Sequence, residues 1–213
     1  MLRDEPIVQY ELGSLRNFVY LILDWSTRQA GIVDPGKDLT PVLSDLTKQG
    51  FTLATILLTH GHFDHIGGVS PLCKKFPEIQ VVGHPHALGS FKFSGSAREI
   101  SDLEEIRIGD LRITAHHTPG HTRGGMCYLV HSTPPQLLTG DTIFIGDCGR
   151  TDLESGSSAE MFESVSKLRK LPGECVILPG HHYAQACTST LEHEIKHSKV
   201  FQCKTVKELE ELP

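Results

Sequence analysis

Four apolar runs in this chain end in a short turn that is followed at once by a histidine or an aspartate. Residues 53–58 lead into Thr59-His60-Gly61-His62-Phe63-Asp64-His65, and residues 111–115 into His116-His117-Thr118-Pro119-Gly120-His121. Residues 136–139 precede Gly140-Asp141, and residues 175–178 precede Pro179-Gly180-His181-His182. Imidazole nitrogen and carboxylate oxygen are ligands that zinc prefers and that iron and manganese also accept. A site assembled from several strand ends holds its ligands within tolerance because the strands are rigid. The recurrence therefore demands a fold that gathers these strand ends at one edge.

The richest segment is residues 59–65. The run before it reads as a buried strand, and Gly61 lets a tight turn form behind it. Such a turn aims His60 and His62 at one point and Asp64 and His65 at another. We expect His60, His62 and His121 around one ion, Asp64, His65 and His181 around a second, and Asp141 bridging the two. Zinc is the favoured metal, with iron or manganese as alternatives. Among the other histidines, His84, His86, His116 and His117 are read as structural or as orienting a ligand. His182 is expected to point away from the site, and His131, His193 and His197 to face solvent. Cys148 lies near the metal loop without a positioned base and reads as a buried thiol.

Elsewhere the patterning alternates between strands and helices. Residues 7–12, 17–23 and 29–33 are apolar and β-branched and suggest an antiparallel meander, closed by the turn Asp34-Pro35-Gly36. Thr40 as N-cap, Pro41 at the first position and Gly50 at the end frame a helix. A short amphipathic helix from Val69 stops at Pro77, and residues 79–82 form a short strand. Residues 83–105 read as a loop with one helical turn. Gly109-Asp110 and Ser132-Thr133-Pro134-Pro135 each turn a hairpin, and Ser157 to Glu160 has capping-box spacing for a helix running to Pro172. Residues 186–197 and 206–212 read as terminal helices. With no linker or low-complexity stretch, residues 1–213 are expected to form one α/β (α+β) domain of two β-layers covered by helices, ending in short helices from about residue 186.

Composition narrows the partners. A net charge of −6 and pI near 6.1 disfavour a nucleic-acid partner, which clustered Lys and Arg would meet. Six cysteines without a CxxC pair suggest reduced, mostly buried thiols. Residues 1–6 carry acids and no apolar core, and no apolar run has the length of a membrane span, so a cytoplasmic chain with no membrane partner is expected.

His60-Gly61-His62-Phe63-Asp64-His65 as HxHxDH, then Thr118-Pro119-Gly120-His121, Gly140-Asp141 and Pro179-Gly180-His181, resemble the successive motifs of the metallo-β-lactamase superfamily over about residues 8–190. The resemblance implies an αββα sandwich with a metal site at one edge. Gly140 to Phe144, Cys148-Gly149-Arg150 and Gly180-His181-His182-Tyr183 are most similar to the glyoxalase II group, hydroxyacylglutathione hydrolases that cleave thioesters such as S-lactoylglutathione. Two cations about 3.5–4 Å apart would supply hydroxide from a shared water, and Asp64 would both ligate and orient it as the catalytic carboxylate. Glyoxalase II proteins usually continue into a helical region that clamps glutathione, whereas this chain stops at Pro213. Arg150 is then the candidate for a substrate carboxylate, or else a brace for its loop. Gly149-Arg150-Thr151-Asp152 also resembles the persulfide dioxygenases, in which the residues matching His60, His121 and Asp141 would hold a single iron. The hydrolase is the favoured reading.

Overall fold

The computed structural model describes residues 5–212. Residues 1–4, part of the acidic start read above, and residue 213 lie outside the described residues. In chain order the elements are β1 (Ile7–Leu12), β2 (Asn17–Asp24), β3 (Gln29–Val33), α1 (Thr40–Gln49), β4 (Thr52–Leu57), α2 (Phe63–Ile66), α3 (Val69–Lys75), β5 (Gln80–Gly83), α4 (Pro85–Leu88) and β6 (Ser96–Glu99). They continue with β7 (Glu105–Ile108), β8 (Leu111–His117), β9 (Met126–Val130), β10 (Gln136–Gly140), α5 (Ser158–Leu168), β11 (Val176–Pro179), β12 (Ser189–Thr190), α6 (Leu191–His197), α7 (Lys199–Gln202) and α8 (Val206–Glu210). Two six-stranded sheets result, ordered β1-β2-β3-β4-β5-β6 and β12-β11-β10-β9-β8-β7.

Strand β2 shows why the layers stack as they do. Its residues are buried on both faces, and successive side chains point to opposite sides. Val19, Leu21 and Leu23 join the core under α1 and α3 with Val42, Leu46, Val69 and Leu72. Phe18, Tyr20 and Ile22 join the layer between the sheets, with Val33, Leu57, Ile113, Tyr128 and Leu138. On the far side, Leu137 and Ile177 pack against Met161, Val165, Phe201 and Leu209 of the later helices. This is the αββα sandwich expected from the sequence. No helix among the described residues is long and apolar enough to cross a membrane.

Several local expectations are corrected. Leu39, not Thr40, is the capping residue of α1; Thr40 is already helical and its hydroxyl donates to Asp38. Residues 83–105 hold α4 and also β6, which extends the first sheet parallel to β5. Its alternation is largely polar because an edge strand exposes one face, so no apolar period announces it. Helix α5 ends at Leu168, well short of Pro172, and residues 186–190 are not helical, since α6 begins at Leu191 after the two-residue strand β12. Of the six free cysteines only Cys73, Cys127 and Cys175 are buried.

The site's edge is set by parallel pairing. β3 pairs parallel with β4, and β10 with β11, so neighbouring strands deliver their C-terminal ends to the same side. Two buried tyrosines cross between the sheets there. Tyr20 Oη donates to the Pro179 carbonyl and Tyr128 Oη to the Leu58 carbonyl, each at 2.6 Å and each two residues before a histidine of the predicted site. Gly140 has φ +48°, and a Cβ there would collide with the Thr59 side chain, so β10 can approach the end of β4 only as glycine.

At the opposite end of the sandwich, Asp24 ties the β2–β3 turn to the β7–β8 hairpin. Its carboxylate accepts from Ser26 N (3.1 Å), Ser26 Oγ (2.8 Å), Thr27 Oγ1 (2.6 Å) and Asp110 N (2.7 Å). Burial opposes ionisation, but these donors outweigh it and hold the carboxyl at about 2, below its ordinary 3.8. A depressed folded value stabilises above the ordinary pKa and loses that contribution as pH falls from about 4 through about 2. Asp24→Ala is expected to cost about 2 kcal/mol at pH 7, read from the denaturant midpoint, with the gap to the parent protein closing below pH 3.

Candidate metal centre

Seven side chains from four strand ends meet at this edge. His60, His62 and His121 each offer one ring nitrogen, all within 4.8 Å of one another. His62 Nδ1 lies 3.0 Å from His121 Nε2. Asp64, His65 and His181 form a second group on the same criterion, with His65 Nε2 3.1 Å from His181 Nε2. Asp141 stands between the groups. Its Oδ2 is 3.9 Å from His60 Nε2, 3.5 Å from His121 Nε2 and 3.4 Å from His181 Nε2, while Oδ1 is 3.5 Å from His65 Nε2.

The partners behind the rings decide which nitrogen each imidazole presents. His121 Nδ1 donates to the Arg150 carbonyl (2.8 Å), His181 Nδ1 to the Leu15 carbonyl (3.0 Å) and His65 Nδ1 to Asp34 Oδ2 (3.1 Å). His60 Nδ1 sits 3.0 Å from Thr59 Oγ1. With Nδ1 engaged in this way, each of these rings in its neutral, ligating form turns an Nε2 lone pair inward, so that lone pair faces lone pair across each group. His60 Nε2 and Asp141 Oδ1 are buried with no hydrogen-bond partner among the described residues. Buried acceptors aimed at one another are repulsive unless a cation lies between them. The donor set thus fits two divalent ions.

Electrostatics agree with that fit. Burial holds His60 and His62 below the ordinary imidazole value, in the neutral, ligating form. Burial also opposes a charge on His65, but Asp141, Asp34 and Asp64 outweigh it and lift the group to about 9. Asp141 loses solvation yet stays far below the usual carboxylate range because His65, His60 and His181 surround it. The centre is built to hold positive charge.

Residues 13–181 match the family model described as "Metallo-beta-lactamase superfamily". The chain belongs to the metallo-beta-lactamase superfamily. It is 39% identical over 180 residues to a probable hydroxyacylglutathione hydrolase of Schizosaccharomyces pombe, covering 82% of this chain and 67% of that one. It is 32% identical over 188 residues to PksB of Bacillus subtilis, a probable polyketide biosynthesis zinc-dependent hydrolase, covering 87% and 82%. The crystal structure of ETHE1 from Myxococcus xanthus superposes with a TM-score of 0.85 at 28% identity, covering 97% of this chain and 92% of that one. The chain spans 62–67% of the length of the matched hydroxyacylglutathione hydrolases. The superfamily uses two divalent metals, typically zinc, and the two groups described above fit such a dinuclear site.

Within the superfamily fold, several residues that position the site were not singled out from sequence. Asp34 was read only as part of a turn. Its carboxylate accepts from Thr59 N (2.7 Å), Thr59 Oγ1 and His65 Nδ1, so it braces the metal loop. Asn17 Nδ2 donates to Asp64 Oδ2 at 2.8 Å. A buried aspartate at a strand end is the only sequence signal for the first; the second gives none.

His182 points away as expected, held by Glu11 at 2.6 Å and stacked on Phe18. His131, His193 and His197 are exposed, and His84 stacks on His117. Burial pushes the Cys148 thiol up to about 12, far from a nucleophile. Arg150 lines the cavity of about 790 Å³ that opens on the centre. Its Nε and Nη2 both donate to Asp152 at 2.7 Å, which favours bracing of the loop over substrate capture.

Proposed function

We propose that this chain is a cytoplasmic metal-dependent thioester hydrolase of the glyoxalase II type, acting on a small glutathione-derived thioester such as S-lactoylglutathione. The observation that carries this reading is the pair of convergent donor groups with Asp141 between them. The similarity to hydroxyacylglutathione hydrolases supports the thioester chemistry.

His60, His62 and His121 would hold one ion, Asp64, His65 and His181 the other, and Asp141 would serve both. When bound, two divalent cations, zinc first and iron or manganese as alternatives, supply a water acidified toward neutrality and positive charge for a developing oxyanion. Asp64, fixed by Asn17, accepts a hydrogen bond from the attacking oxygen and orients it toward the carbonyl. Tyr183, stacked on His181 with ring centroids 4.6 Å apart, walls the approach together with Phe144. The C–S bond breaks with the electron pair on sulfur, and the thiolate leaves without a general acid because a thiol is far more acidic than an alcohol.

A second reading has one observation in its favour. His60, His121 and Asp141 by themselves form a two-histidine, one-carboxylate face, the donor set of a mononuclear iron persulfide dioxygenase. Metal analysis of protein purified without oxygen separates the two. Two metals per chain with thiol release from S-lactoylglutathione is the expected outcome. One iron per chain with oxygen consumption on glutathione persulfide sinks the hydrolase.

A further inference from the structure

Between Asp141 and Arg150 the chain makes a short turn that builds one wall of the metal site. Ile143 and Cys148 pair as an antiparallel bridge, and Phe144 N donates to the Asp147 carbonyl at 2.8 Å. Asp141, Phe144, Asp147 and Cys148 all line the cavity of about 790 Å³. The Phe144 ring stands edge-on to Tyr183, with centroids 5.2 Å apart, and to His181, 6.0 Å apart. At its base the turn is fixed by Thr139 Oγ1, which donates to the Ile143 carbonyl at 2.6 Å. Its tip is Gly146, at φ +82°, where a Cβ would meet no atom within 4 Å. The glycine answers to backbone conformation and not to crowding.

That tip is held from a distant part of the chain. Gly146 N donates to Glu194 Oε2 at 2.8 Å, across 48 residues. Glu194 lies on the inner face of α6, is 2% exposed and takes part in no ion pair among the described residues. A carboxylate buried without a cation loses solvation that no salt bridge returns. Leu191, three residues earlier on the same face, shares a core cluster with Ile143, so burying this face needs no charge. What the carboxylate adds is a charge-assisted hydrogen bond to the amide at the tip, roughly twice as strong as a neutral one.

We infer that Glu194 is a positioning residue for substrate binding: its carboxylate clamps the tip of the turn, and the clamped turn holds Phe144 as a fixed wall of the cavity. Phe144 lies inside the Ile143 to Cys148 bridge, two residues from the clamped glycine, so the wall moves when the tip is released. The Thr139 anchor at Ile143 stands between Phe144 and Asp141 along the chain, so loosening at the tip stops short of the metal-facing carboxylate. The assignment rests on the thioester-hydrolase reading only for the substrate used in its kinetic test.

Amide hydrogen exchange of the zinc-loaded protein reads the clamp without turnover. In Glu194→Ala, exchange over residues 143–148 is expected to rise by roughly tenfold or more, the scale of losing a hydrogen bond to a charged group, with β4 and β9 unchanged. Nitration of Tyr183, which packs against Phe144, should speed up with it. KM for S-lactoylglutathione should rise about fivefold with kcat within about twofold, the pattern of lost ground-state binding, and metal content should equal the parent's. Glu194→Gln keeps an acceptor at the same reach and should restore every reading to within about twofold of the parent. Leu46→Ala, in the core under α1 on the far side of the sandwich, should lower the denaturant midpoint and leave all of these readings at parent values. Unchanged exchange over 143–148 in Glu194→Ala overturns the assignment. So does raised exchange with unchanged Tyr183 nitration and unchanged KM, or a Leu46→Ala variant that shows the same pattern. A parent protein that does not cleave the thioester sinks the hydrolase reading alone, and exchange with nitration then judges the clamp.

Discussion

Asp141→Asn is expected to strip both ions from the centre and to lower thioester turnover by roughly a thousandfold, the scale of removing one preorganised electrostatic group from an active site. The substitution keeps the volume of the side chain and removes only its charge. Asp141 lies within 3.9 Å of the inward nitrogens of His60, His65, His121 and His181, so no other carboxylate can replace it in both groups. Without it, five imidazoles surround two dications with only Asp64 to balance them. Metal content by elemental analysis and kcat/KM, measured on the same preparation, check the result. A variant that keeps two metals and activity within tenfold of the parent would refute the bridging role. His60→Ala should likewise lose metal and activity together.

Asp34→Asn has the second largest expected effect, although Asp34 touches no ion in this assignment. Asp34 sits at φ +49°, a backbone region that asparagine tolerates, so the substitution leaves the chain path intact. What changes is acceptor capacity. One carboxylate now receives Thr59 N, Thr59 Oγ1 and His65 Nδ1, all buried. An amide has a single acceptor oxygen, and its NH2 group points donors at donors. The tautomer and orientation of His65 are then no longer fixed, and affinity at the Asp64, His65, His181 group should fall about 10–100-fold. A stability loss of about 2–3 kcal/mol should accompany it, because a buried donor keeps its desolvation penalty when its acceptor goes. Metal titration should show one ion retained more tightly than the other. Equal loss of both, with unchanged denaturant midpoint, would remove Asp34 from the support of this loop.

Most of the strand framework was readable because β2, β9 and β10 are buried on both faces and announce themselves as largely apolar runs. β6 was missed for the opposite reason. It is an exposed edge whose pairing with β5 is carried by backbone groups, which have no sequence signature. Helix boundaries drifted where tertiary packing overrode local signals, as at Leu39 against Thr40 and where α6 waits for β12 to finish.

The sequence by itself determined which candidate donors stand at strand ends: His60, His62, Asp64, His65, His121, Asp141 and His181 follow apolar strands, and the structure brings their ligand atoms together. It could not determine which nitrogen each ring presents, because that depends on the carbonyls of Leu15 and Arg150 and the carboxylate of Asp34, which approach from elsewhere in the chain. Nor could it tell that Arg150 is engaged: only the tertiary structure places Asp152 against its guanidinium. Hydrogen-bond partnership is a property of distance in space, and spacing along the chain does not encode it.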